Sequence, residues 1–379
     1  MMIKINKNKA KDIWIQSQTL NQKTPFGKGL QAVYNAISHL GYVQIDAINV
    51  IERAHHHILY NRIPDYESKY LHLAQSQEKI IFEYWTHALS YLPLDVYKYF
   101  IGKMNKYDNS SDGWFSSVTE DDYKKVKNLL KSNGPISIRD IKDDLLIEKT
   151  HAWGSSKPSR KALELGFLKG DFAISERDGI LKKYDLTGRH FDWKAKPKMA
   201  TEAEYCNYLI ERSLKSQGII NIDSVCYLEP KMKQPIGQLI ERKIKSNELL
   251  EIKIEKIEKE IFYVQPETLD QKNSRSDRTH ILSPFDPLII QRKKLKNIFD
   301  YEHLFEAYLP KEKRKFGYFS LPVLHHNNII ALLDLKTDRT ENKLIIQNWV
   351  WLNKRKSNSN KQTIENELDK FEKFQLKTN

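Results

Sequence analysis

The chain has 379 residues, which is more than one ordinary hydrophobic core accommodates, so about two to four subdomains are expected. Its 62 Lys and Arg residues outnumber 49 Asp and Glu residues, and the net charge of +13 favours a polyanionic partner such as nucleic acid, although a solvated basic surface would give the same balance. No apolar run approaches the ~18 residues of a membrane span, and two cysteines cannot form a disulfide framework. Because the N-terminus also lacks the apolar core of a signal peptide, a cytoplasmic protein without a membrane partner is expected.

Residues 1–112 are predicted to form the first unit. The segment Lys7–Gln18 predicts an opening helix, and Phe26–Leu40 predicts a second one that ends where Gly41 supplies a stop. A short strand and a third helix are predicted to follow. This order of helix, helix, strand and helix is close to that of a winged helix-turn-helix.

The predicted strand and third helix carry the first candidate functional residues. Val43–Ile45 is rich in β-branched residues and predicts the strand. Gln44 and Asp46 are two residues apart, so in an extended segment their side chains face the same way. Asp46 is also predicted to cap a helix whose buried face includes Ile48 and His55.

The pair Gln44 and Asp46 has a catalytic and a structural interpretation. A carboxylate beside a carboxamide can orient and deprotonate a water, or stabilise a cationic transition state, whereas a helix cap is purely structural. His55 either points into the same pocket as Asp46 or fills the core. Because His55, His56 and His57 are consecutive on a predicted helix, their side chains diverge by ~100° per residue and cannot share one metal ion. No metal-binding or nucleotide-binding motif occurs in the chain, so neither a metal nor another cofactor is expected.

An aromatic segment, Glu83–Pro93, contains two further candidates for contact with a ligand, Trp85 and His87. Core packing is the alternative, and for Trp85 it is the favoured one. The polar, turn-rich stretch Lys103–Gly113 is predicted to close the first unit.

Residues 113–197 predict a second and clearer winged helix. After a first helix, Ser137 is predicted to cap a second one with the sequence IRDIKDDL, and Lys157–Lys169 is predicted as the third. Phe172–Leu186 then predicts two strands around Asp178-Gly179, a strong hairpin signal. The third helix has the pattern of a recognition helix, and the basic residues near its start are candidates for DNA contact, namely Lys157, Arg160 and Lys161.

Residues 198–279 are predicted to form a third winged helix. Helices are predicted at Ala203–Leu214 and Gln234–Ser246, and alternating apolar residues predict strands in Leu249–Val264.

Residues 280–352 predict a small antiparallel β domain, with three strand-like runs in Phe316–Leu352. Residues 353–379 predict a polar linker and an amphipathic helix. Two prolines bracket Asp286 in the sequence SPFDP, which predicts a tight turn; a catalytic aspartate is the weaker alternative.

Four blocks together resemble the bacterial winged-helix DNA glycosylase family typified by AlkZ and YcaQ. They are VQIDAINVIERAHH, EYWTHALSYLP, ILSPFDPLIIQRKKLKNIFDYEH and the run from Lys313 to Arg339. The resemblance implies an α+β fold with three tandem winged helices followed by a C-terminal β-barrel. It also implies an enzyme of DNA repair that excises N-alkylated purines and unhooks interstrand crosslinks.

The family's catalytic motif is Gln-x-Gln in the AlkZ branch and Gln-x-Asp in the YcaQ branch, and this chain has Gln44 and Asp46 at those positions. The resemblance to the YcaQ branch implies a monofunctional glycosylase whose substrate is double-stranded DNA with alkylated or crosslinked guanine at N7. A monomer associated with the nucleoid is expected, because three dissimilar winged units in one chain can embrace DNA without a partner. The alternative from another class is a non-enzymatic winged-helix DNA-binding protein such as a regulator, which would usually dimerise.

Overall fold

The chain forms two compact units, each assembled from segments that are separated in the sequence. The computed structural model describes residues 3–107, 115–142, 157–257, 259–271, 276–352 and 355–377. The first unit comprises Met1–Ser68, Thr86–Ser90 and Cys206–Asn379, and the second comprises Lys69–Trp85 and Tyr91–Tyr205. The finer boundaries predicted at residues 112, 197, 279 and 352 remain predictions.

Over the described ranges the α-helices are α1 (Lys7–Ser17), α2 (Gly29–Leu40), α3 (Ala54–Tyr60), α4 (Ser68–Ser76), α5 (Ile101–Met104), α6 (Glu120–Asn133), α7 (Pro158–Leu168), α8 (Thr187–His190), α9 (Glu202–Gln217), α10 (Ile222–Val225), α11 (Lys233–Lys245), α12 (Pro266–Asp270), α13 (Arg292–Phe299) and α14 (Asn358–Lys377). The strands are β1 (Ile3–Ile5), β2 (Val43–Gln44), β3 (Ile81–Trp85), β4 (Leu89–Pro93), β5 (Ile136–Ser137), β6 (Phe172–Asp178), β7 (Leu181–Leu186), β8 (Ile219–Ile220), β9 (Leu250–Ile254), β10 (Phe262–Val264), β11 (Thr279–Ile281), β12 (Ser320–His325), β13 (Asn328–Asp338) and β14 (Lys343–Trp351). Short 3₁₀ turns lie at Leu94–Tyr99, Asn105–Tyr107, Ile138–Asp140, Pro230–Met232 and Lys311–Lys313. No described helix is long and apolar enough to span a bilayer.

The core of the first unit joins the N-terminal segment to segments some 250–300 residues further along the chain. Strand β1 pairs in parallel with β9, so Ile3 lies opposite Ile252 in a sheet with the order β1-β9-β10-β8. The ring of Trp14 in α1 is fully buried and meets Phe299 of α13 edge to face, with centroids 5.8 Å apart. The strand β1 was not predicted, because a three-residue run with a lysine at its centre carries too little pattern.

The C-terminal sheet of the first unit is open. Its strands have the order β11-β12-β13-β14, and each neighbouring pair is antiparallel. The three predicted strands in residues 316–352 are confirmed. The expected barrel is wrong, because a barrel needs its two outermost strands to pair, and no sheet among the described residues closes in this way. Helix α14 follows the C-terminal sheet. Its residues Ile364, Leu368 and Phe371, which predicted the apolar face of an amphipathic helix, are buried.

The second unit contains the predicted first helix, third helix and hairpin, as α6, α7 and β6–β7. Thr119 caps α6 in a reciprocal capping box with Asp122, and the β6–β7 hairpin forms with Asp178 opposite Leu181. The helix predicted after Ser137 is wrong: only a 3₁₀ turn forms, since Ile141 is already extended. The last three residues of that predicted helix, 143–145, lie outside the described residues. So does most of the polar boundary that was predicted at residues 103–113.

A buried ion pair holds the first unit together. Arg62 donates to both carboxylate oxygens of Asp286 at 2.7 and 3.0 Å, and both side chains are inaccessible to solvent. The remaining guanidinium N–H groups reach the carbonyl oxygens of Ile58 and Gln18 at 3.1 Å and the Gln18 side chain at 2.8 Å. Asp286 is therefore a structural residue within the predicted turn, which excludes the catalytic alternative.

We expect Arg62→Met to lower the free energy of unfolding by about 3–5 kcal/mol, because the Asp286 carboxylate would stay buried without its cation. Urea unfolding measures this change. The double variant Arg62→Met/Asp286→Leu removes both charges and should recover part of the loss. The control is Lys28→Met, which breaks an exposed pair with Asp65 at 3.3 Å and should change the free energy by less than ~1 kcal/mol. Equal effects of Arg62→Met and Lys28→Met would contradict the structural role.

Candidate active site

The residues Gln44 and Asp46 lie where strand β2 runs into an irregular loop. The N–H of Ile45 donates to the carbonyl oxygen of Leu89 at 2.8 Å, so the segment remains extended alongside the tip of the β3–β4 hairpin. Gln44 is 6% exposed, whereas Asp46 is partly exposed. Strand β2 ends at Gln44, and Asp46 follows two residues later in the irregular loop, so a common face for the carboxamide and the carboxylate stays a prediction.

Asp46 does not cap a helix. Its Oδ1 atom accepts the N–H of Ile48 at 2.8 Å, which closes a local turn. The chain then stays irregular until α3 begins at Ala54, with Arg53 at the N-cap. The predicted helix start is therefore wrong: the side chain makes the bond that an N-cap would make, but no helix follows this turn before Ala54. Among the described residues, no donor reaches the other carboxylate oxygen, Oδ2.

Partial burial changes the acid–base character of Asp46. Desolvation raises the pKa of its carboxyl group above the ordinary range, and the hydrogen bond from Ile48 opposes this effect only in part. A carboxylate with a raised pKa is a stronger base and accepts a proton from water more readily.

His87 at the hairpin tip holds the carboxamide of Gln44. Its Nε2–H donates to Gln44 Oε1 at 3.1 Å, so the carboxamide nitrogen of Gln44 remains a donor for other groups. The imidazole makes edge-to-face contacts with the rings of Tyr42 and Tyr227, with centroid distances of 4.9 and 5.2 Å. Tyr227 is itself fixed, because its hydroxyl donates to the carbonyl oxygen of Ile290 at 3.0 Å. Sequence analysis selected His87 but could not place it beside Gln44.

A small polar cavity lies beside His87. Its volume of about 20 Å³ admits one water molecule and is far too small for a nucleobase. The lining residues are mostly polar and are Gln18, Tyr42, Thr86, His87, Arg212, Ser213, Ser216, Gln217, Ser224, Tyr227, Glu229, Pro287 and Gln291.

Position 41, next to Tyr42 of this cavity, accommodates only a glycine. Its φ of +78° ends α2, and a Cβ atom there would lie 2.2 Å from Cγ of Arg212. The guanidinium of Arg212 packs over the rings of Tyr42 and Tyr208 at 5.7 and 5.5 Å. The helix stop predicted at Gly41 is confirmed.

The loop that carries Asp46 is anchored by the C-terminal part of the chain. The N–H of Thr337 donates to the carbonyl oxygen of Val50 at 2.9 Å. Gln375 of α14 is buried, and its Oε1 accepts the N–H of Glu52 at 2.6 Å and the Thr337 hydroxyl at 3.1 Å. These contacts fix the loop from residue 50 to residue 52.

A further anchor lies on the β13–β14 turn. Arg339 donates to the side-chain oxygen of Asn49 at 2.9 Å and to its carbonyl oxygen at 3.2 Å. Sequence analysis missed Thr337, Arg339 and Gln375, because no local pattern links residues almost 300 positions apart to the loop.

The three consecutive histidines do not act together. His55 is buried, which agrees with the core-packing alternative, and its ring lies 4.3 Å from that of His56. His56 bonds the Tyr66 hydroxyl at 2.6 Å, whereas His57 donates to the carbonyl oxygen of Ile281 at 2.7 Å. In the part of the chain that the structure describes, no group of three or more His, Cys, Asp or Glu residues could hold a metal ion.

The candidates for DNA contact in the second unit differ in exposure. Trp85 is 47% exposed, so the favoured core-packing interpretation is wrong. Lys161 is 1% exposed and donates to Ser117 Oγ at 2.8 Å, so it is not available to DNA. Lys157 and Arg160 are exposed at the start of α7. The spacing of basic residues could not show that the α7 helix turns Lys161 inward.

Comparisons with known proteins identify the family. The model of the family described as DNA glycosylase AlkZ-like matches residues 37–374. The chain belongs to this family. The solved structure of the Streptomyces sahachiroi DNA glycosylase AlkZ is similar over 96% of this chain and 95% of that chain, with a TM-score of 0.61 and 15% sequence identity. The resemblance to this family and the mixed α+β fold are therefore confirmed, and family membership supports a DNA glycosylase that acts in DNA repair.

We expect Gln375→Met to slow base excision by about tenfold or more without weakening DNA binding, because the misplaced loop would move Asp46 away from its working position. Single-turnover rates and separate binding titrations distinguish the two effects. The control is Gln362→Met on the exposed start of α14, where the side chain bonds only Asn366 at 3.1 Å among the described residues. A rate for Gln375→Met equal to that of the control would contradict the anchoring role.

Proposed function

We propose that this chain is a monofunctional glycosylase that hydrolyses the N-glycosidic bond of N7-alkylated guanine in DNA and unhooks interstrand crosslinks formed at that atom. The observation that carries the proposal is the partly buried Asp46 carboxylate, which lies two residues along the chain from a Gln44 carboxamide that His87 holds. Metal or nucleophilic-lysine chemistry is not part of the proposal.

The chemistry needs only these two side chains and a water. Alkylation at N7 makes guanine cationic, so the bond between N9 and C1′ breaks without prior protonation, and its electron pair neutralises the base. The sugar acquires oxocarbenium character, which a nearby carboxylate stabilises. Water attacks C1′ and gives its proton to Asp46, while the Gln44 amide donates to the water oxygen and orients it.

The size of the cavity at His87 favours recognition of the lesion from an open face. The 20 Å³ cavity cannot enclose an extruded base, and a crosslinked base is tied to the opposite strand, which obstructs the base flipping that many glycosylases use. An open site tolerates a bulky adduct. We propose that the chain binds duplex DNA as a monomer through winged-helix units, of which the segment from α6 to β7 has the most complete element order.

We expect Asp46→Asn to reduce excision of N7-alkylguanine by about 100-fold or more, and Gln44→Ala to reduce it by a similar factor. Asn retains an oxygen for the Ile48 N–H, so the variant removes the charge but keeps the turn. The measurement is single-turnover formation of alkali-labile abasic sites on monoalkylated and crosslinked duplexes.

The matched control is Asp140→Asn, since Asp140 also accepts a main-chain N–H, from Ser137 at 2.7 Å. Its rate should equal that of wild type. If wild type binds these duplexes and leaves every lesion intact, the proposed substrate is wrong, and a non-enzymatic DNA-binding role gains support.

A pH profile tests the acid–base role of Asp46. Because burial raises the pKa of this carboxyl group, the ionised form is lost on acidification sooner than for an ordinary aspartate. We expect the excision rate to rise with pH, with a midpoint above the usual value of ~3.9. Spontaneous depurination at each pH is subtracted. A rate that stays flat down to pH ~4 would show that the ionisation of Asp46 does not limit catalysis.

A further inference from the structure

The turn between α10 and α11 carries an exposed leucine in an unfavourable backbone conformation. Leu228 is 67% exposed and has a φ of +58°. A branched apolar side chain rarely adopts this left-handed conformation, which glycine and asparagine tolerate better. The position therefore combines backbone strain with an apolar side chain in water, and strain of this kind clusters at functional sites.

The neighbours of Leu228 hold the turn rigidly. The N–H of Glu229 donates to the carbonyl oxygen of Cys226 at 2.7 Å, and Cys226 is buried with its own N–H bonded to Ile222 at 2.9 Å. Tyr227 and Glu229 both line the cavity beside His87, whereas the intervening Leu228 is directed to solvent. Hydrogen bonds thus hold the backbone on both sides of Leu228, and the leucine side chain projects into solvent.

A short series of contacts connects this turn to Gln44, one residue of the proposed catalytic pair. The ring of Tyr227 lies 5.2 Å from that of His87, and His87 donates to Gln44 at 3.1 Å. Lys231 is exposed in the following 3₁₀ turn and supplies a cation suited to a DNA phosphate. An apolar projection and a cation three residues further along the chain therefore follow directly on Tyr227, which contacts Gln44 through His87.

We propose that Leu228 is a wedge that inserts into the base stack of DNA next to the lesion. This inference rests on the proposed glycosylase function. DNA-bending proteins insert apolar side chains, leucine among them, between base steps and partly unstack them. The bases then remove the exposed side chain from water, which offsets the cost of unstacking. Unstacking beside the lesion would open the C1′ atom to the water held by Asp46 and Gln44 without full extrusion of the base.

The test uses three single variants of the full chain. Leu228→Asn removes the apolar wedge but suits the left-handed backbone, so its melting temperature should equal or exceed that of wild type. Leu228→Met keeps an apolar side chain of similar volume. Leu304→Asn is the matched control, because Leu304 is also exposed, at 40%, in an irregular segment.

Two signals are measured at saturating protein. The first is the fluorescence of 2-aminopurine placed next to N7-methylguanine in a duplex, which rises when neighbouring bases unstack. The second is the single-turnover release of the methylated base. We expect Leu228→Asn to abolish the fluorescence rise and to slow release at least tenfold, while Leu228→Met and Leu304→Asn retain both signals. The inactive Asp46→Asn variant should retain the fluorescence rise.

The outcomes distinguish a failure of the wedge proposal from a failure of the proposed glycosylase function. If Leu228→Asn gives the wild-type fluorescence rise and release rate, the wedge is wrong and the glycosylase assignment stands. If wild type releases no base but unstacks DNA in a manner that depends on Leu228, the substrate assignment is wrong and the wedge stands. Equal losses in Leu228→Asn and Leu304→Asn would also overturn the wedge, because they would reflect general loss of exposed apolar surface.

Discussion

The first unit depends on one fully buried ion pair. Charges are costly to remove from water unless every donor finds a partner, and all five N–H groups of the Arg62 guanidinium are satisfied by Asp286, Gln18 and Ile58. These partners come from the end of α1, from α3 and from a turn more than 200 residues further along the chain. The pair therefore fixes how the segments around residues 18, 58–62 and 286 meet.

The same turn supports the candidate active site. The carbonyl oxygen of Asp286 accepts the N–H of Ile290, whose own carbonyl oxygen accepts the Tyr227 hydroxyl. Tyr227 packs on His87, and His87 orients Gln44. A second support comes from β13 and α14, which anchor the loop after Asp46. The proposed hydrolysis of an already cationic base requires little beyond a positioned carboxylate and a positioned water, and under that proposal the scaffold serves chiefly to keep them in place.

Much of the local structure could be predicted from the sequence. The helices α1, α2, α7 and α14 and the β6–β7 hairpin form close to their predicted positions, because apolar periodicity, caps and turn residues act within a few positions. The adjacency of Gln44 and Asp46 is likewise a local property of an extended segment. The family itself could be identified because its motifs are short blocks in a fixed order, and the family match over residues 37–374 confirmed it.

Contacts between distant segments could not be predicted. The sequence could not show that the chain stays irregular after the Asp46 turn instead of starting a helix, that Lys161 lies on the buried side of α7, or that Trp85 at the end of β3 is exposed. The parallel pairing of β1 with β9 and the open C-terminal sheet are likewise properties of the assembled chain. The sequence alone thus determined most of the helices and the β6–β7 hairpin, and it pointed to the candidate pair Gln44 and Asp46, since these depend on neighbours along the chain. Only the tertiary structure decided which side chains surround that pair, because burial and partner choice arise when segments far apart in sequence pack together.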